Sequence, residues 1–341
     1  MAIVLPTPQT APLDAGPSLR WGVLGTGWIA DAWARTVLAH TAQRVVAVGS
    51  AELARAEAFA ARHGIARAVA GVEALVAASD VDAVYIAGLN AQHLPHALLA
   101  IAAGKHVLVE KPLGSTAAEA RRIAAAAREA GVFAMEAMWT RFLPQTDVLL
   151  RMIAEGDLGE VGLVEAAFAP RLDPIAAARV YAGGVHGGAL LDLGVYPLAF
   201  AHAILGAAES RTVSGTILDS GSDGRTIIVQ EYASGARSIA VTAADLGHLT
   251  SAAVLGTRGS VRFPSDFHQP SRFFYTDGES TAEFVDPNGW TGLEGLAYQV
   301  AAVADAVGQG LTETREQPLD ASVVVLEIVD EARRRLGAPV D

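Results

Sequence analysis

Hydrophobic and polar positions along the first 135 residues switch between two periods. Short β-branched runs at 21–24, 45–48, 83–87, 106–109 and 132–135 read as strands. Between them, stretches near 28–38, 53–63, 95–103 and 117–130 keep a helical spacing, with Gly64, Gly104 and Gly131 as C-terminal stops and Thr116 with Glu119 as a capping box. Strands alternating with helices predict a parallel sheet crossed by helices, an α/β Rossmann domain over residues 21–140.

From about residue 160 the texture changes. Strand-like runs at 226–232 and 237–242 are separated by Ala233-Ser234-Gly235-Ala236, a hairpin signal, and helical patterns remain only at 188–205, 296–309 and 321–336. These predict a second, α+β domain over residues 141–341 with a large, mostly antiparallel open sheet, its last helix placed to pack back on the first domain. Residues 1–20 hold four prolines among scattered polar residues and neither a basic start nor a long apolar core, so a flexible lead is expected rather than a signal peptide.

Composition narrows the function. Half of the 341 residues are apolar (51%), yet charge interrupts every long apolar stretch, which argues against a membrane span. Lys+Arg 25 against Asp+Glu 37 gives a net charge of −12 without a basic stripe, which argues against nucleic acid as a partner and for a small molecule. The absence of cysteine removes disulfides, thiolate nucleophiles and Cys-ligated metal sites, and fits a cytoplasmic setting. His93 and His96 share a helix face with no convergent carboxylate, so no metal site is expected. Lys105 and Lys111 are the only lysines.

Gly25-Thr26-Gly27-Trp28-Ile29-Ala30 follows the first strand and opens the first helix. In this GxGxxA pattern the first glycine permits a tight turn, the second lets a pyrophosphate reach the backbone, and the small Ala30 lets helix pack on strand. The end of the second strand reads Val48-Gly49-Ser50, without the acid that would hold a ribose 2′-hydroxyl. Ser50, with Arg55 in the following helix, suits a 2′-phosphate, so NADP(H) is favoured over NAD(H); a helix cap at Ser50 and a solvated Arg55 is the plainer alternative.

The strand at 106–109 runs into Glu110-Lys111-Pro112, placing a lysine at the sheet end where such folds bind ligands. Later, Gly187-Gly188-Ala189-Leu190-Leu191-Asp192-Leu193-Gly194-Val195-Tyr196-Pro197 carries a carboxylate and a phenol four residues apart, on one helical face. Trp139 and Arg179 are candidates for a substrate wall, a flat ring for an apolar sugar face and a donor for hydroxyls.

Taken together, GxGxxA, Asn90 and His93 after the strand at 83–87, AGKHVLVEKP at 103–112, MEAMWTRFLP at 135–144 and GGALLDLGVYP at 187–197 resemble the glucose–fructose oxidoreductase and inositol dehydrogenase (Gfo/Idh/MocA) family. Within it they look most like the branch of dimeric dihydrodiol dehydrogenases and NADP-dependent D-xylose dehydrogenases. The resemblance implies Lys111 as the lysine of the EKP motif, Tyr196 as acid/base and Asp192 as a substrate-orienting carboxylate. It further implies Gly25, Thr26, Gly27, Trp28, Ile29, Ser50, Arg55, Asn90, His93, Glu110 and Lys111 around the cofactor, with the active site in the cleft between domains. Two departures stand out: Ala51 replaces an arginine common after that serine, and Val185-His186 precede Gly187-Gly188 where relatives show a third glycine.

The chemistry agrees with the implied roles. Oxidising a secondary alcohol requires a proton to leave its oxygen, and a free phenol, with a pKa of about 10, is a poor base at neutral pH until an ammonium such as Lys111 stabilises its phenolate. The expected activity is hydride transfer between nicotinamide and a secondary alcohol or ketone of a carbohydrate, polyol or cyclic diol. Alternatives are NAD-dependent, redox-assisted cleavage of a glycosidic bond, and a dinucleotide sensor without turnover. A sheet with helices on one side leaves its other face to cover, so a homodimer or homotetramer through the second domain is expected.

Overall fold

The computed structural model describes residues 3–175 and 177–340; residues 1 and 2 of the expected lead, and residues 176 and 341, lie outside them. Contacts divide the chain into two units: Ala11–Trp139 with Leu293–Val323, and Thr140–Gly292 with the segments up to Thr10 and from Val324 onward.

The first unit is built on strands β1 (Arg20–Leu24), β2 (Arg44–Ser50), β3 (Arg67–Ala70), β4 (Ala83–Ile86), β5 (His106–Val109) and β6 (Ala134–Glu136). All pair in parallel in the order β3-β2-β1-β4-β5-β6, the doubly wound order whose direction reverses between β1 and β4. Helices α1 (Trp28–His40), α2 (Leu53–His63), α3 (Gly71–Val76), α4 (Asn90–Ala102) and α5 (Ala117–Ala130) connect them. Gly64 and Gly131 end α2 and α5 in the left-handed conformation, which glycine adopts without a Cβ clash. Thr116 accepts the Glu119 amide as the capping box requires, but the Glu119 carboxylate takes the amide of Ser115 rather than that of Thr116. Trp21, Trp33 and Tyr85 are fully buried, with Trp33 stacked on Tyr85 at 4.3 Å and edge-on to Trp21 at 5.3 Å. Each such burial is worth roughly 1.5–3 kcal/mol.

Three details differ from the sequence expectation. The pair β3–α3 lacks a strong period and was not expected. Helix α4 starts at Asn90 rather than 95, because the Gln92 side chain accepts the Leu89 amide and opens the helix before Pro95. The last strand sits at Ala134–Glu136, and a buried glutamate ends it.

The second unit begins with α6 (Pro144–Glu155), a helix not expected from the sequence, which has proline in its first turn and Gly156 as its left-handed stop. Its sheet has eight strands: β7 (Val161–Phe168), β8 (Ser210–Ile217), β9 (Asp223–Glu231), β10 (Arg237–Ala243), β11 (Ala252–Gly256), β12 (Ser260–Phe263), β13 (Phe273–Thr276) and β14 (Thr281–Phe284). The order is β14-β13-β12-β11-β7-β10-β9-β8, antiparallel throughout except for the β7–β10 pair. The short helix α7 (Ala178–Tyr181) and helix α8 (Val195–Leu205) follow β7, and α8 packs on β7 and β10. Phe200 of α8 meets Phe263 and Phe267 edge-on at 5.8 and 5.3 Å, which builds the core on this face. On the opposite face of the sheet, β9 leaves Ile227 47% exposed.

Helix α9 (Leu296–Gly308) belongs to the first unit, and α10 (Leu319–Leu336) runs from the first unit into the second. As far as Leu19 the described residues of the lead form no helix or strand, yet the lead is tied down: Gln9 donates its amide to Asp147, and Arg151 donates to the Thr7 carbonyl. No helix among the described residues is long and apolar enough to cross a membrane.

Candidate active site

At the C-terminal edge of the parallel sheet, β1 runs into Gly25, whose amide donates to the Gly49 carbonyl at 2.9 Å. Its φ of +113° and the Ala87 carbonyl, which would stand 2.7 Å from an added Cβ, both demand glycine. Gly27, the N-cap of α1, is the opposite case, since a Cβ there would meet nothing within 4 Å. That open space lies over the helix N-terminus, where unsatisfied amides and the dipole favour an anion. Thr26 adds a buried hydroxyl without a protein partner, Ala30 is fully buried against the sheet, Ile29 is half-buried and Trp28 is exposed. The cradle therefore fits a dinucleotide pyrophosphate.

Ser50 ends β2 and is buried, and Arg55 is exposed in the first turn of α2. The N-cap of α2 is Glu52, so capping does not occupy the Ser50 hydroxyl. No carboxylate ends β2.

Beyond β4 and β5, Asn90 is the first residue of α4 and the Lys111–Pro112 peptide is cis. His93, expected at the cofactor, is instead buried, with Nδ1 2.7 Å from the Pro112 carbonyl and Nε2 3.3 Å from that of Gly88. Burial lowers its pKa to about 4, so the ring is neutral at pH 7 and donates from one nitrogen, as the shorter contact indicates. The donated bond ties α4 to the loop after β5. Lys105, the other lysine, donates to the Ala78 and Val81 carbonyls.

Two buried carboxyl groups stand near Lys111. Glu110 accepts the Tyr85 hydroxyl at 2.6 Å and the Lys111 amide at 3.1 Å. Glu136 accepts the Leu113 amide, the Gln317 side chain and the Ser322 hydroxyl at 2.9, 3.0 and 2.6 Å. Burial raises both above the ordinary carboxylate range, and the Lys111 charge opposes that rise in both. The role of Glu136 was not foreseen, although a lone acid closing an apolar strand was a visible signal; Gln317 and Ser322 left none.

In the second unit the glycine-rich segment is not one α-helix from 188, as expected. Gly188 has φ +99°, which a right-handed helix cannot hold, and Leu190–Gly194 form a π-helical turn closed by the Val195 amide on the Leu190 carbonyl. Such turns widen the helix and redirect side chains. Asp192 lies in it, and Tyr196 in the first turn of α8. Arg179, expected as a wall, grips Asp192 with Nη2 at 2.9 Å from both carboxylate oxygens. Tyr196 is 7% exposed, its ring edge-on to Phe168 at 5.2 Å and to His268 at 5.4 Å, while Phe168 and His268 stack at 4.2 Å. His268 was not foreseen. It sits in a turn where Asp266, at φ +54°, exchanges hydrogen bonds with Thr250, and Thr140 donates to its carbonyl. Trp139 is buried in a 3₁₀ turn after β6.

The structure thus gathers Gly25, Thr26, Gly27, Trp28, Ile29, Ser50, Arg55, Asn90, Glu110 and Lys111 along one sheet edge of the first unit, and Arg179, Asp192 and Tyr196 in the second.

Comparison with known proteins identifies the family. Residues 19–138 match the oxidoreductase family with an NAD-binding Rossmann fold (GFO/IDH/MocA), and residues 148–262 match the GFO/IDH/MocA C-terminal domain. The chain is 32% identical over 330 residues to trans-1,2-dihydrobenzene-1,2-diol dehydrogenase of Bos taurus and 33% over 329 residues to that of Danio rerio, covering in each case 94% of this chain and 97% of the relative. A solved 3-ketoreductase from Actinomadura kijaniata, in complex with NADP and TDP-benzene, superposes with a TM-score of 0.80 at 29% identity, covering 95% of this chain and 98% of the other. Structures of that ketoreductase with a lysine changed to alanine or glutamate, and with a tyrosine changed to phenylalanine, are similar as well. The chain belongs to the GFO/IDH/MocA oxidoreductase family and is an NAD(P)-dependent dehydrogenase or reductase acting on a CH–OH group.

Proposed function

We propose that the protein interconverts a secondary alcohol and a ketone on a sugar, polyol or cyclic diol, with NADP(H) preferred, and that Lys111, Asp192 and Tyr196 carry the chemistry. The observation that carries this reading is the pairing, on successive turns, of a nearly buried phenol with a carboxylate that an arginine holds by both oxygens. When bound, the nicotinamide supplies or takes up hydride; the rest falls to the chain's own residues.

Tyr196 passes a proton between its hydroxyl and the substrate oxygen. Its ring is fixed by Phe168 and His268, which limits the freedom that must be lost on the way to the reacting geometry. Asp192 accepts from a neighbouring substrate hydroxyl, and Arg179 Nη2, shared between both carboxylate oxygens, sets the angle of that carboxylate. Lys111 supplies the positive charge that makes a phenolate accessible near neutral pH. Relatives that act on a dihydrodiol, or hold NADP beside a TDP ligand, support both the substrate class and the cofactor. Ser50 and Arg55, with no acid ending β2, point the same way on NADP(H). The exposed Ile227 face of the sheet supports a homodimer.

The test is reduced-cofactor absorbance over a panel of ketosugars, polyols and cyclic diols, for wild type, Tyr196→Phe, Lys111→Met and the double variant. Each single change should slow turnover by about 10²–10⁴-fold, and the double should be little worse than the more damaging single. Near-normal turnover in Tyr196→Phe, or multiplicative losses in the double, would overturn the assignment; free sugar released from a glycoside without net cofactor change would replace it.

A further inference from the structure

Arg333, in the last turns of α10, and Asp223, the first residue of β9, form an ion pair with both side chains fully withdrawn from solvent. Burying two charges is costly, and an apolar pair of similar volume would fill the same space without that cost. What the charges do that an apolar pair could not is bind backbone. Arg333 donates through Nη1 to the Val185 carbonyl at 2.8 Å and through Nη2 to the carbonyls of Gly184 and Gly187 at 2.9 and 3.2 Å. Asp223 Oδ2 accepts the Leu190 amide at 2.6 Å, and its carboxylate also takes the Ala189 amide. The Nε of Arg333 stands 3.3 Å from Asp223 Oδ1.

The guanidinium therefore holds the carbonyls of the segment that enters the π-helical turn, and the carboxylate holds the amides that begin it. Gly188 lies between, at φ +99°, and a Cβ there would fall on the Asp223 carboxylate. Asp192 follows Leu190 by two residues and Tyr196 by six, so an error in this backbone is carried directly to both groups.

We propose that Asp223 and Arg333 are positioning residues for the reaction, a buried clamp that sets the backbone from which Asp192 and Tyr196 project. The proposal rests on the reading of those two groups as the substrate machinery. Neither clamp residue need touch substrate or cofactor.

The test compares wild type with Asp223→Asn, Arg333→Lys and the apolar double variant Asp223→Leu/Arg333→Met by three readouts: amide exchange across residues 184–196 in the protein alone, NADPH affinity, and kcat against KM on the best panel substrate. In each folded variant, exchange at Ala189 and Leu190 should quicken tenfold or more and kcat should fall at least tenfold, while NADPH affinity stays within twofold. The double variant separates positioning from mere stability, because its melting temperature should match or exceed that of wild type while its kcat stays low. It also serves if a single variant fails to fold. Unchanged exchange across 184–196, or full kcat in the double variant, would overturn the clamp. If wild type turned over no panel substrate, the functional reading would fail, while exchange and melting would still decide the clamp.

Discussion

The sharpest consequence of the first unit concerns His93. Its neutral ring, carried by α4, donates to the Pro112 carbonyl in the loop after β5, and burial lowers its pKa from 6.5 to about 4, with the nearby Lys111 and His96 charges acting in the same direction. Between those two values the unfolded chain binds a proton at this position that the folded chain refuses. Acidification through that window therefore favours unfolding; the stabilising contribution is complete above 6.5 and lost by about 4. At about 1.4 kcal/mol per pH unit, the window is worth about 3 kcal/mol. Glu110 and Glu136 act with the opposite sign, since burial raises their pKa values and the folded form keeps protons that the unfolded form releases. Wild type alone would mix these contributions, so the comparison needs His93→Asn, whose amide can donate to the Pro112 carbonyl in place of Nδ1 but does not titrate. Urea unfolding followed by tryptophan fluorescence, with Trp21 and Trp33 reporting from the core of the same unit, should show the difference between wild type and variant shrinking by about 3 kcal/mol from pH 7.5 to 4. Parallel pH dependences across that range would refute the neutral buried ring.

Arg55→Ala should weaken NADP(H) by about 1.5–3 kcal/mol, roughly tenfold or more, and leave NAD(H) nearly unchanged; titration of both cofactors checks it, and equal losses would sink the phosphate assignment. Gly25→Ala should cost about 1–3 kcal/mol of stability from its φ of +113° and displace the β1–α1 turn, read as a lowered urea midpoint together with lost cofactor affinity. Ile227→Arg, on the exposed sheet face, should convert a dimer to a monomer in light scattering, and a wild type already monomeric at micromolar concentration would refute the dimer.

How much of this was legible in the chain depends on the distance over which each feature is decided. The turn at Gly25–Ala30, the glycine stops at Gly64 and Gly131, and the hairpin around Gly235 could be read directly, because backbone sterics and hydrogen bonds a few residues apart settle them. Lys111 at the end of β5 was equally visible, since a strand that ends in a charged residue before proline has a defined place in a parallel sheet. The π-helical turn was not. Its spacing of apolar residues is that of an α-helix, and what opens it is a left-handed Gly188 whose conformation is held by Asp223, thirty-five residues on. His93 and His268 show the same limit: a histidine in a motif or in a loop carries no sign of whether its ring meets a ligand, a carbonyl or another ring. Arg179 looked like a free donor until folding closed it on Asp192, and Arg333 looked like one of three consecutive arginines ending a helix. Desolvation and partnership are properties of the space around a side chain, and only tertiary packing, through contacts more than a hundred residues apart, decided which of those arginines is buried against a backbone loop and which face water.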